Sequence, residues 1–198
     1  MKNIARDYYL TLEKLLKSIE VTDKKGQKLP FHEGVAEVAG LIEAQTGTGK
    51  KIIFIGNGAS AAISSHSATD FWRNAGVKAM AFNDASLLTC ISNDFGYKYV
   101  FKKPIEMFAE SGDILVAISS SGRSENILCG AEAARDKGMT IITLSGFDTH
   151  NPLRKMGRFN FYVSASSYGY VEVIHHAICH GLLDIIVQNR SRGGKKHE

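Results

Sequence analysis

Cysteine is scarce in this chain. The three present, Cys90, Cys129 and Cys179, follow neither the spacing of a zinc ribbon nor that of a disulfide framework. Each sits in an apolar stretch, as reduced, buried thiols do in a cytoplasmic protein. The sequence shows no signal peptide and no long apolar run, so the expectation is a cytoplasmic protein with no membrane partner. No lysine follows either glycine- or serine-rich loop at the Walker spacing, which argues against a nucleotide P-loop. There is no internal repeat and no sign of a second domain. The formal net charge is only +4, and part of it falls in the run Arg190-Ser191-Arg192-Gly193-Gly194-Lys195-Lys196. Basic residues form no stripe interleaved with aromatics on folded segments, so nucleic acid is not an expected partner.

What is present is an ordinary globular composition. The chain has 198 residues, 44% hydrophobic and 22% charged, enough for one domain with a full core. We expect a single domain over residues 1–190, with leading helices in 1–48 and a sheet and closing helix in 50–189. Residues 191–198 read as a disordered basic tail.

Apolar residues at helical spacing mark helices over about 4–19 and 31–45, separated by a polar, lysine-rich break at 20–30. Beyond residue 50 the pattern alternates. Short apolar strands are expected at 51–55, 77–81, 113–118, 140–145 and 159–163, with helices at about 60–74, 86–92, 100–109 and 124–135 and a closing helix at 170–188. Strands alternating with helices imply an α/β fold, a doubly wound five-stranded parallel sheet flanked by helices, with two leading N-terminal helices.

Two strand-to-helix junctions carry anion-binding chemistry. One is Gly56-Asn57-Gly58-Ala59-Ser60. The other is Ser119-Ser120-Ser121-Gly122-Arg123-Ser124. A helix start offers unpaired N–H groups and the positive end of its dipole, and serine hydroxyls add donors. Ligands of such sheets bind at the carboxyl ends of the strands, so a small phosphorylated ligand is the expectation.

Titratable residues gather on two helices. His66 and Asp70 are four apart and share a face. The closing helix carries Glu172, His175, His176 and His180. Mixed imidazoles and carboxylates suit either a metal site or an acid–base pair. Glu172 and His180 are separated by roughly 12 Å along a helix axis, a long reach for one ion. Of His175 and His176, one is expected in the core and the other toward solvent or a neighbouring subunit. His32, His150 and His197 read as ordinary surface or core residues.

These motifs, in this order and with Ser92-Asn93-Asp94-Phe95-Gly96-Tyr97 between them, resemble the sugar isomerase (SIS) superfamily and, within it, the phosphoheptose isomerases. The resemblance spans nearly the whole chain. It implies a homotetramer with active sites at subunit interfaces. It also implies conversion of sedoheptulose 7-phosphate to D-glycero-D-manno-heptose 7-phosphate, toward nucleotide-activated heptose for surface polysaccharides. Ser119, Ser120, Ser121 and Ser124 match the family's phosphate loop, and Asn57, Gly58, Ala59 and Ser60 lie at its first substrate loop. Asn93 and Asp94 match a sugar-contacting pair. His66, Asp70, Glu172 and His180 match positions that bind zinc in some members. Asp70 and His180 match the proposed base and acid. Glu172 is a second candidate both for the base and for substrate contact. The chain departs from the family at Asp70, usually glutamate, at Glu172, usually glutamine, and at Ala59, usually glycine. Two further readings are an isomerase of another phosphosugar and a non-catalytic SIS protein that binds a phosphosugar or a protein partner for regulation. The ionisable set Asp70, Glu172 and His180 favours catalysis.

Overall fold

The computed structural model describes residues 1–193. Its elements run α1 (Lys2–Lys17), β1 (Glu20–Asp23), β2 (Lys28–Leu29), α2 (Phe31–Gly47), β3 (Ile52–Gly56), α3 (Ala59–Ala75), β4 (Ala79–Ala81), α4 (Ala85–Phe95), α5 (Lys102–Phe108), β5 (Ile114–Ser119), α6 (Glu125–Asp136), β6 (Thr140–Gly146), β7 (Phe159–Val163) and α7 (Tyr168–Gly193).

Every residue of β3 and β5 is buried, as expected of parallel strands covered on both faces. The two pair in parallel from Ile52↔Ile114 to Gly56↔Ile118. Because side chains alternate along a strand, β3 supplies two cores. Ile52 and Phe54 pack with Val38, Ile42, Phe71 and Ile178 on one face; Ile53 and Ile55 pack with Phe101, Ile105, Ile127 and Leu153 on the other. Each such side chain fully buried contributes about 1.5–3 kcal/mol of transfer free energy.

The expected five-stranded parallel sheet is present as β4-β3-β5-β6-β7, and it is extended. The full order is β2-β1-β7-β6-β5-β3-β4, with β1 antiparallel to both β7 and β2. Residues 20–30, expected to be a polar break, therefore build an edge hairpin. Asp23 closes its turn by accepting hydrogen bonds from the Lys25 and Gln27 N–H groups, both at 2.8 Å, an Asx-type turn. Glu20 anchors the edge through Arg154 at 2.7 Å and Lys28 at 3.1 Å.

Three other expectations are corrected. Cys179 is buried, and burial pushes its thiol up to about 12, against a hydrogen bond with Ser67. Cys129 is half-buried and Cys90 exposed, so the buried reading holds for Cys179 alone. Helix α7 continues through Gly193, so residues 191–193 of the expected disordered tail are helical; 194–198 lie outside the described residues. Finally, α7 is long and apolar enough, by length and composition, to cross a membrane. In this fold it is a core helix: Val171, Ile174, Ile178, Leu182 and Ile186 are buried, and it packs on α2 and α3.

The parallel strands reverse direction of winding between β3 and β5. A doubly wound sheet opens its ligand crevice at that switch point, and both candidate anion loops leave the sheet there.

Candidate active site

The loop after β3 turns tightly. A Cβ at Gly56 would lie 2.4 Å from the Ser60 carbonyl oxygen, so the close approach of strand and helix requires glycine. Asn57 follows, and its amide is fixed. Its Nδ2 donates to Asn126 Oδ1 at 2.9 Å, and its Oδ1 accepts from Asn126 Nδ2 at 2.8 Å and from the Tyr97 hydroxyl at 3.1 Å. Asn126 is buried in the first turn of α6. Neither Asn126 nor Tyr97 stands out as a site residue in the sequence. Their partner is dozens of positions away, and no local periodicity reports such a contact.

The second loop is built from serines. Ser119 and Ser120 are buried. The Gly122 N–H donates to Ser119 Oγ at 3.2 Å, and Ser119 Oγ lies 3.4 Å from Ser124 Oγ. Ser120 Oγ is buried without a partner. Ser124 stands at the N-cap of α6 and makes no side-chain cap hydrogen bond; its Oγ accepts only from Ser119, so the start of α6 keeps donors for an anion. A Cβ at Gly122, whose φ is +62°, would meet Asn151 Oδ1 at 2.0 Å.

The two loops enclose a cavity of about 210 Å³ lined by Asn57, Gly58, Ala59, Ser60, Ile118, Ser119, Ser120, Ser121, Ser124, Tyr168 and Glu172. All eight expected residues of the two loops are thus in one place, joined by Glu172 and by Tyr168, which the sequence reading left just outside its closing helix. Asn93 and Asp94 are not. They are exposed at the end of α4, where Asn93 Nδ2 donates to Asp94 Oδ1 at 2.8 Å.

The titratable cluster adjoins this cavity. His66 Nε2 lies 3.1 Å from Asp70 Oδ2, one turn along α3, and the packing of α7 on α3 brings His180 Nδ1 to 3.9 Å from the same oxygen. His176, four residues before His180, joins them. Its ring centroid is 5.0 Å from that of His66 and 4.6 Å from that of His180. Burial lowers the His176 pKa, the neighbouring His180 and His66 lower it further, and Asp70 opposes them. A second cavity, about 490 Å³, is lined by Ala59, Ala62, Ile63, His66, Glu172, Val173 and His176. Glu172 and Ala59 line both cavities, so the serine loop and the imidazole cluster face one continuous groove. His175 points the other way. It is wholly buried, its Nε2 lies 3.2 Å from the Ser145 carbonyl oxygen, and burial pushes its pKa down to about 4 against that hydrogen bond. One of the histidine pair is in the core, as expected; the other, His176, is half-buried at the groove rather than turned to solvent.

The cluster suits a metal ion. Ring nitrogens of His66, His176 and His180 lie within 4.8 Å of one another. His176 Nε2 is buried without a hydrogen-bond partner, a cost that ligation would remove. Of the four residues expected from the sequence as ligands, His66, Asp70 and His180 are in mutual contact and Glu172 stands at the groove beside them.

Residues 8–146 match the SIS domain family. The chain is 35% identical over 162 residues to the phosphoheptose isomerase of Proteus mirabilis, covering 78% of this chain and 83% of that one. This chain belongs to the phosphoheptose isomerase family of SIS domain proteins. A second family member, from Serratia proteamaculans, is 36% identical over 78% of this chain and 82% of its own length. The solved phosphoheptose isomerase of Francisella tularensis superposes with a TM-score of 0.82 at 26% identity, covering 95% of this chain and 98% of that one. That of Neisseria gonorrhoeae gives 0.80 at 26% identity over 93% and 98%.

Proposed function

We propose that this phosphoheptose isomerase family member is an aldose–ketose isomerase. It takes sedoheptulose 7-phosphate to D-glycero-D-manno-heptose 7-phosphate through an enediol(ate), in the cytoplasm, toward nucleotide-heptose for surface polysaccharide. The observation that carries this reading is the shared groove. An anion cradle and a carboxylate–imidazole cluster meet at Glu172, so a sugar held by its phosphate extends toward groups able to move protons.

Ser119, Ser120, Ser121 and Ser124, with the N-terminus of α6, bind the phosphate and supply remote binding energy that fixes the reacting carbons. Asn57 and Ser60 line the same cavity from the loop after β3 and are assigned to the sugar. The reaction needs a base over carbon, an acid at oxygen and stabilisation of the developing oxyanion. Glu172 is the carboxylate that lines the phosphate cavity, and we assign it the base. It takes the proton from C1 as the electron pair forms the C1–C2 double bond, and returns the proton to C2. His180 supplies the proton taken up by the C2 oxygen and recovers one from the C1 hydroxyl. Asp70, in contact with both His66 and His180, holds those rings and is the alternative base.

The family's zinc would be held in this cluster, on ring nitrogens that include those of His66 and His180, and would supply Lewis-acid polarisation of the sugar oxygens when bound.

A homotetramer with sites at subunit interfaces accords with two features. Helix α1 has no buried residue and leaves Ile4, Tyr9, Leu10 and Leu16 exposed. His180, Asn93 and Asp94 line neither cavity within one chain, and a neighbouring chain would complete a site that uses them. A panel of ketose phosphates with five, six and seven carbons tests the substrate. Turnover confined to the seven-carbon sugar is expected; preference for a shorter one would overturn the assignment, and turnover of none would favour a binding role.

A further inference from the structure

Three imidazoles converge at the edge of the groove from two helices, His66 and His176 lining it and His180 beside them. His176 and His180 are one turn apart on α7, and His66 faces them from α3. Their ring centroids form a triangle of 5.0, 5.2 and 4.6 Å, and one nitrogen from each lies within 4.8 Å of the other two. Zinc–imidazole bonds of about 2.0–2.1 Å put tetrahedral ligands roughly 3.4 Å apart, a closure that small ring rotations supply. Two observations beyond proximity point to an ion. His176 Nε2 is buried and unpartnered, although a buried ring nitrogen ordinarily finds a hydrogen bond. Asp70 stands behind two of the three rings, 3.1 Å from His66 and 3.9 Å from His180, the arrangement in which a carboxylate orients metal-bound imidazoles.

We propose that this chain holds a divalent ion of the zinc class on His66, His176 and His180, with Asp70 as the carboxylate that positions the rings and Glu172 left free for the sugar. Three imidazoles leave a fourth, open position, the pattern of a catalytic rather than a structural zinc site. Glu172 lies one turn before His176 on α7 and lines the cavity next to the serine loop, so its carboxylate stays with the substrate. His180 then serves as the acid only in the metal-free protein. The ligand set rests on the histidines themselves; only the role left to Glu172 rests on the isomerase reading.

The test uses full-length protein stripped with chelator and titrated with cobalt(II), followed by visible d–d absorption, then with zinc in competition. One ion per chain is expected. His176→Leu should weaken cobalt affinity by at least ~10–100-fold, as loss of a supporting group at a metal site already does, whereas Glu172→Gln should change it less than about threefold. X-ray absorption of the zinc-loaded unmodified protein should count three imidazoles, a readout that needs no variant to fold. Two imidazoles with carboxylate oxygens, a Glu172→Gln variant that loses the ion while His176→Leu keeps it, or no stoichiometric binding would each overturn the proposal. Turnover of sedoheptulose 7-phosphate by the stripped protein reports separately on the reaction.

Discussion

Asn57 and Asn126 face each other amide to amide, each donating to the other at 2.9 and 2.8 Å, and this pair ties the loop after β3 to the first turn of α6. The geometry fixes which end of each amide is oxygen, because the Ile127 N–H, a donor only, also donates to Asn126 Oδ1 at 3.0 Å. Asn126→Asp keeps an acceptor but loses the donor, so it opposes the Asn57 oxygen with another oxygen. We expect it to lower kcat/KM by about tenfold or more and to cost about 1–3 kcal/mol of stability. Asn126→Ala should be no worse. Steady-state kinetics and urea unfolding check both; full activity in Asn126→Asp would remove the pair from the site.

Loss of the serine hydroxyls should be felt in binding. Ser119→Ala with Ser121→Ala is expected to raise KM for the phosphosugar about tenfold with a smaller fall in kcat, since remote phosphate contacts are made in ground and transition states alike. Gly122→Ala should do more damage, because its Cβ would collide with the Asn151 side chain. An unchanged KM in the serine double variant would place the phosphate elsewhere.

Two carboxylates compete for the role of base, and their surroundings separate them. Glu172 lines the cavity beside the serine loop, whereas Asp70 is engaged by two histidines. Glu172→Gln should therefore lower kcat by about 10²–10⁴-fold with little change in KM. Asp70→Asn should cost less, and its loss should fall mainly on metal affinity. Near-normal kcat in Glu172→Gln with an inactive Asp70→Asn would reverse the assignment.

His175 gives the fold a pH dependence of known sign. Its folded pKa is about 4, below the ordinary 6.5, because burial penalises the charged ring. Between those values the unfolded chain binds the proton and the folded chain does not, so stability rises with pH across the window. The contribution is full above about 6.5 and is lost as pH falls toward 4, amounting to about 3 kcal/mol. Urea unfolding from pH 7 to pH 4 should show this slope, and His175→Gln should flatten it. An equal slope in the variant would assign it to other groups.

The sheet's centre was legible in the sequence because β3 and β5 are unbroken apolar runs bounded by glycine and serine loops. The two loops that line the cavity were legible for a related reason: donors crowd at a strand-to-helix junction. The edge hairpin was not legible. Val21 alone is strongly apolar in β1, and the strand depends on β7, more than a hundred residues away. His176 was seen on the right helix but not as a partner of His66, because which face of α7 meets α3 is decided by packing. The Asn57–Asn126 pair spans 69 positions and leaves no local trace. Asn93 and Asp94 follow a family motif, yet in this chain they stand exposed at the end of α4, away from the groove.

The central claim is that phosphate loop and proton-moving cluster serve one substrate. The most direct test follows sedoheptulose 7-phosphate by NMR in D₂O with the purified protein, first with chelator and then with zinc. The account predicts an aldoheptose 7-phosphate product, with solvent deuterium at C2 to the extent that the base exchanges its proton. Neither product nor exchange under either condition would contradict it.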